Sequence, residues 1–225
     1  MPEFLGIIPA RYASTRFPGK PLADINGKPM ILRVYERAAS ALDNLIVATD
    51  DQRIFDCVLN AGGEAIITSP NHPSGTDRCY EALLIYQEET KRKYDIVLNI
   101  QGDEPFIQPE QIELLMQCFK DPSVDIATLV KAIEDKNMIF DKNKPKVVVN
   151  RKREALYFSR SPIPFVRGVD EDDWFEKHIF YQHIGMYAYR AKALAEITGL
   201  ETGILEKAES LEQLRWLENG YKIKV

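Results

Sequence analysis

The first two-thirds of the chain alternates between short, nearly unbroken apolar runs and amphipathic stretches of helical length. The runs are Phe4–Ile8, Leu45–Ala48, Ala65–Ile67 and Ile96–Ile100. Between and after them lie Met30–Ala41, Arg53–Ala61, Asp77–Glu89 and Pro109–Phe119. A strand that is apolar at almost every position must be covered on both faces, and helical crossovers between parallel strands provide that cover. The pattern therefore predicts an α/β fold with a mostly parallel sheet flanked by helices. In such sheets crossovers are right-handed and ligands collect beyond the carboxyl ends of the strands. The loops that follow the strands are where chemistry is expected.

The rhythm changes beyond about residue 126. Ile126–Val130, Val147–Asn150, Ala155–Phe158 and Ile184–Tyr189 are strand-like, with the polar segment Arg167–Lys177 between the last two. They predict a small β-rich lobe or a dimerisation arm. Leu205, Ala208, Leu211, Leu214 and Leu217 keep a three-residue spacing, which predicts one apolar helix face ending at Gly220.

Bulk properties narrow the function. A net charge of −5 argues against a nucleic-acid surface, which needs a broad basic face, but leaves room for a local phosphate site. No apolar run is long enough to span a bilayer, and Phe4–Ile8 is too short for a signal-peptide core. The three cysteines are isolated and odd in number, as expected of free thiols in a reducing cytoplasm.

The loop after the first strand gathers Arg11, Arg16 and Lys20 among small and turn-forming residues. Ser14 and Thr15 add hydroxyl donors, and Gly19 allows close backbone approach. Backbone amides and converging cations make a triphosphate cradle, although composition alone fits a solvated basic loop equally well. The loop has neither the Walker A spacing nor a dinucleotide fingerprint. Asp103 ends the apolar strand Ile96–Ile100 through Gln101-Gly102. It suits a Mg²⁺ ion that takes one or two carboxylates, or a turn cap before Pro105. In Ser69–Arg78, Ser74 or Thr76 is placed to cap the next helix. His72 and His178 read as surface residues, and Arg78 fits a helix surface.

Read as one string, Pro9–Leu22 continuing through Asp24–Met30 resembles the sugar-activating nucleotidyltransferases, whose signature is Arg-x-x-Ser/Thr-x-Arg-x-x-x-Lys after a strand. It is most similar to the 3-deoxy-D-manno-octulosonate (Kdo) cytidylyltransferases, also called CMP-Kdo synthetases. Six further segments match that family in order: Val47–Asp50, Ser74–Arg78, Asn99–Pro105, Ala155–Arg160, His183–Tyr187 and Leu211–Arg215. The resemblance implies a nucleotide-diphospho-sugar transferase-like, Rossmann-like fold over one domain, 1–225. Its CTP-binding half would be 1–125, and its sugar-binding and dimerisation half 126–225. It implies Mg²⁺-dependent transfer of CMP from CTP to Kdo, with release of pyrophosphate, for lipopolysaccharide biosynthesis. The enzyme would be a cytoplasmic homodimer without nucleic-acid partners or membrane insertion.

Residue by residue, the resemblance assigns Ala10, Arg11, Ser14, Arg16, Lys20, Ser74, Gly75 and Gln101 to the nucleotide. Arg11, Lys20 and Asp103 are carried over as catalytic, with Asp103 on the metal. Gln101, Arg160, His183, Tyr187, Glu212 and Gln213 are carried over to the sugar. By residue type alone, His183 also fits a satisfied interior histidine, Tyr187 an amphipathic strand, and Glu212 and Gln213 the polar face of a helix. The family continues past the position of Val225 with a segment containing Asp-Thr-Pro-Glu-Asp, whose first aspartate is the metal's second protein ligand. The sequence ends before that segment; a protein truly lacking it would bind metal and turn over less well. Three other readings are kept: a cytidylyltransferase for another acidic sugar such as sialic acid, a catalytically impaired CTP-binding homologue, and a glycosyltransferase using the Asp-x-Asp spacing in Asp170–Asp173.

Overall fold

The computed structural model describes residues 2–13 and 17–225. The chain forms two compact units, one of residues 1–120 with 186–198 and the other of residues 121–185 with 199–225.

In the first unit the apolar runs become β1 (Phe4–Ala10), β2 (Leu45–Thr49), β3 (Ala65–Ile67) and β4 (Ile96–Asn99). They lie in the order β3-β2-β1-β4 and pair in parallel, Gly6 opposite Leu45 and Leu98, and Ala48 opposite Ile66. Met186–Arg190 adds an antiparallel strand beside β4, with Tyr187 opposite Asn99 and Arg190 opposite Ile96. Every residue of β2 and β4 is buried, which is why the sequence could not alternate there. The helices that follow these strands are α1 (Met30–Ala39), α2 (Gln52–Asn60), α3 (Gly75–Thr90) and α4 (Pro109–Cys118), and a further helix, Ala191–Thr198, belongs to the same unit. Asp51 caps α2 by accepting from Arg53 N–H, and Ser74 Oγ caps α3 by accepting from Thr76 and Asp77 N–H. Pro109 opens α4, where a missing N–H costs nothing. Among the described residues no helix is long and apolar enough to cross a membrane.

In the second unit Lys146–Val149 and Ala155–Ser159 form an antiparallel hairpin. Val147 also pairs with Tyr181, and Ile126 pairs in parallel with Ile223. The polar segment 167–177 is not wholly external. Its Trp174 is buried in a small cluster with Ile133, Ile139 and Phe180, the indole N–H donating to Val169 O. Asp170–Asp173 lies on an exposed single turn, with no buried strand leading into it.

The leucine-spaced stretch is two helices, Ile204–Glu209 and Gln213–Glu218, where the sequence pattern predicts one. The break is at Ser210, whose φ of 51° is left-handed. Distant groups hold it there. The Glu209 carboxylate accepts from Ser159 Oγ and Arg160 N–H, and the Arg160 guanidinium donates to the Glu209 and Ser210 carbonyls. A β-branched residue tolerates left-handed backbone poorly. Ser210→Val is expected to lower unfolding free energy by about 1–3 kcal/mol in urea titration, whereas Ser210→Gly is expected not to lower it.

Candidate functional site

The loop leaving β1 turns back on itself at Gly19, whose φ of 72° favours glycine. Its N–H donates to Tyr12 O at 2.9 Å, and the following turn, Lys20–Leu22, returns Lys20 to the strand end. Arg53, from the start of α2, lies 3.4 Å over the Tyr12 ring and braces the near side of the loop.

β4 brings its own loop to the same place. Ile100 N–H still donates to Ile7 O, after which Gly102 passes against β1. A Cβ at Gly102 would meet the Pro9 carbonyl oxygen at 2.8 Å, so only glycine lets the two strand ends come this close. The consequence is an ion pair: Lys20 Nζ lies 2.6 Å from Asp103 Oδ2. Both groups are wet, with side chains 38% and 54% exposed, so the pair adds at most about 1 kcal/mol to stability. Its interest is chemical: a cation and a carboxylate from two parallel strand ends, both open to ligand.

Around this pair is a cleft of about 270 Å³, all of it in the first unit. Its lining includes the sequence-predicted residues Ala10, Arg11, Lys20, Gln101 and Asp103. Ser74 and Gly75, at the start of α3, complete the wall. Ser14 and Arg16, which the resemblance assigns to the nucleotide, lie outside the described residues, as does Thr15.

Two polar side chains of the lining, Arg78 and His72, were missed as site residues by sequence reasoning. Arg78 is only 3% exposed, not on a helix surface. Its Nη2 donates to Asp50 Oδ2 at 3.1 Å and its Nη1 to Thr68 Oγ1 at 2.6 Å. It binds the end of β2 to α3 beneath the cleft. His72, expected at the surface, is half-buried and hydrogen-bonded to the Glu81 carboxylate. Burial opposes ionisation of Glu81, but the bonds from His72 and from Ser69 N–H hold its carboxyl below the usual range. A signal existed for both residues, since the segment holding them ends in the Ser74–Arg78 motif. His178 is exposed, as expected.

Of the residues carried over to the sugar, Gln101 lies in this cleft. Tyr187 belongs to the first unit, buried and stacked on Tyr189. Arg160, His183, Glu212 and Gln213 belong to the second. There Arg160 donates through Nε, Nη1 and Nη2 to the carbonyls of Glu209, Lys142 and Ser210. Its own carbonyl accepts from Lys146 Nζ at 2.8 Å; burial pulls the pKa of that fully enclosed ammonium down. Glu212 Oε1 accepts from Arg215 Nη2 at 3.0 Å. Gln213 is 5% exposed, and its Nε2 has no hydrogen-bond partner among the described residues.

His183 is buried against the edge of Phe158, with Nε2 3.0 Å from Thr128 Oγ1. Burial pushes its pKa down to about 4, so the ring is neutral at physiological pH. The unfolded chain takes up this proton near pH 6.5 and the folded chain only near 4. This contribution to stability is whole above pH 6.5 and is lost as pH falls towards 4. His183→Gln removes it. In urea unfolding, the wild type is expected to lose about 2 kcal/mol more than the variant between pH 7.5 and pH 5.

Residues 5–223 match the family model described as cytidylyltransferase. The chain is 59% identical to the 3-deoxy-manno-octulosonate cytidylyltransferase of Parabacteroides distasonis, the match covering 100% of this chain and 90% of the relative. Its identity to the enzyme of the same description from Bacteroides thetaiotaomicron is 58%, covering 99% and 89%. Among solved structures it is similar to CMP:2-keto-3-deoxy-manno-octonic acid synthetase complexed with CTP. The TM-score is 0.89 and the identity 45%, covering 99% of this chain and 88% of that one.

Proposed function

The chain belongs to the cytidylyltransferase family, within its 3-deoxy-manno-octulosonate cytidylyltransferase branch, and on that premise we propose that it transfers CMP from CTP to Kdo and releases pyrophosphate. The observation that carries the reading is the meeting of Arg11, Lys20 and Asp103 in one cleft with Ser74, Gly75 and Gln101.

CTP lies along the strand ends. Arg11 and Lys20 take its phosphates, and the loop residues Ser14 and Arg16 add a donor and a charge. Ser74 and Gly75 read the edge of cytosine from the opposite wall. Lys20 exchanges Asp103 for phosphate oxygens when the nucleotide enters, which frees the carboxylate for a cation. A divalent ion, Mg²⁺ in this reading, supplies positive charge to the phosphates when bound. Asp103 would hold it. Among the described residues no group of three or more acidic, histidine or cysteine side chains could cage an ion. That donor set fits an ion that keeps most of its ligands as phosphate and water oxygens.

The anomeric hydroxyl of the sugar acid attacks the α-phosphorus in line, the bond to the bridging oxygen breaks, and pyrophosphate leaves. Such a transfer needs alignment and charge neutralisation, with no covalent enzyme intermediate. Gln101, Arg160, His183, Tyr187, Glu212 and Gln213 are assigned to the sugar acid. The unsatisfied Gln213 Nε2 is the strongest support, because a buried donor without an acceptor costs about 1–3 kcal/mol that a sugar hydroxyl would return. A homodimer through the second unit is supported by Leu156, Phe165 and Ile179, which are exposed. A cytoplasmic location is supported by three cysteines that are all free thiols.

Lys20→Ala tests the assignment. A cation on a transferring phosphoryl group acts mainly in the transition state, so pyrophosphate release from CTP and Kdo is expected to fall about 100-fold or more at saturating substrates. An unchanged rate would remove Lys20 from the mechanism.

A further inference from the structure

Arg215 closes the Leu211–Arg215 segment and has so far been given no role of its own. It is 7% exposed, in the helix Gln213–Glu218, and every partner it has below belongs to the second unit. Nη1 donates to Leu200 O at 2.9 Å and Nη2 to Glu212 Oε1 at 3.0 Å. Nε lies 3.1 Å from Glu206 Oε2, a close charge contact that lacks hydrogen-bond alignment. One cation thus serves two carboxylates. Of the two carboxylates Glu212 is the more open, its side chain 27% exposed against 16% for Glu206.

Stability does not explain this arrangement. Burying a guanidinium costs several kcal/mol that its ion pairs seldom do more than offset, and an apolar side chain would fill the space without that cost. What the arrangement achieves is a fixed carboxylate. Clamped through Oε1, Glu212 holds one orientation while keeping acceptor capacity, since a carboxylate accepts about four hydrogen bonds. Beside it Gln213 offers a buried Nε2 donor with no partner among the described residues, an independent sign that a polar ligand group belongs here.

We propose that Arg215 is a positioning residue for sugar-acid recognition, clamping Glu212 so that its carboxylate accepts from substrate hydroxyls and repels the substrate's own carboxylate. The inference rests on the reading of the substrate as a sugar acid. A hydroxyl donating to an ionised carboxylate makes a strong, charge-assisted bond, whereas a second carboxylate there meets like charge. The hydroxylated end of the sugar acid therefore faces Glu212 and Gln213.

The test is steady-state pyrophosphate release by the whole chain, with KM measured separately for Kdo and for CTP. Arg215→Lys keeps the charge but not the fork that spans Leu200 O and Glu212. It is expected to raise KM for Kdo about tenfold or more, the cost of one hydrogen bond to a charged group, and to leave KM for CTP unchanged. Glu212→Gln is expected to do the same, and the double variant to be no worse than Glu212→Gln alone, because Arg215 acts through Glu212. Equal rises in both KM values, or effects that multiply in the double variant, would reduce Arg215 to a structural brace. Should Arg215→Lys fail to fold in a thermal melt, Glu212→Asp withdraws the carboxylate from the clamp while keeping its charge. An unchanged KM for Kdo in that variant overturns the proposal. A wild-type chain that is silent with Kdo overturns the substrate reading and this inference with it, while an active wild type with unaffected variants overturns the role of Arg215 alone.

Discussion

Everything proposed for the first unit depends on how closely the ends of β1 and β4 approach. Gly102 passes so near the Pro9 carbonyl that any side chain would push the strands apart, and Gly19 turns the intervening loop back upon itself. Together they set Lys20 against Asp103 at the carboxyl edge of a parallel sheet, where backbone N–H groups and loop side chains have no sheet partner and are open to ligand. The pair contributes little to folding because water reaches both partners. That is what a binding site needs, since groups held only weakly by one another are readily recruited by phosphate and metal.

The second unit handles charge in the opposite way. Lys146 is fully enclosed and donates to the carbonyls of Asp141 and Arg160, and Arg215 is buried between two carboxylates. Arg160 reaches two other segments through the carbonyls of Lys142, Glu209 and Ser210. These cations act as cross-links: Lys146 ties its strand to the carbonyls of Asp141 and Arg160, Arg160 reaches the end of the first short helix at Glu209, and Arg215 joins the two helices on either side of Ser210. Weak, wet charges suit a nucleotide whose phosphates bring charge of their own. Fixed, buried charges suit a sugar whose hydroxyls must be told apart by position.

Sequence alone revealed the four parallel strands and the helices after them, because burial on both faces forces unbroken apolar runs that nothing else requires. Asp103 was legible as a strand-tip carboxylate, and the cation loop as a cradle or a solvated loop; their mutual proximity came from the family resemblance and the strand-end rule. What stayed hidden depends on distant partners. Arg78 looks like any arginine in a first helical turn until Asp50, 28 residues away, is seen to bury it. His72 looks exposed until α3 presents Glu81. The leucine spacing from 205 to 217 reads as one helix because the break at Ser210 is imposed by Ser159 and Arg160, which no local pattern announces. Trp174 likewise sits in a stretch too polar to predict its burial.

The most direct measurement of the central claim is calorimetric titration of CTP into the wild-type chain and into Asp103→Asn, each with and without Mg²⁺. If Asp103 anchors a cation beside the phosphates gathered by Arg11 and Lys20, Mg²⁺ tightens CTP binding to the wild type and leaves the variant unmoved. Equal tightening in both would mean that the cation, wherever it binds, does not use the carboxylate at the end of β4.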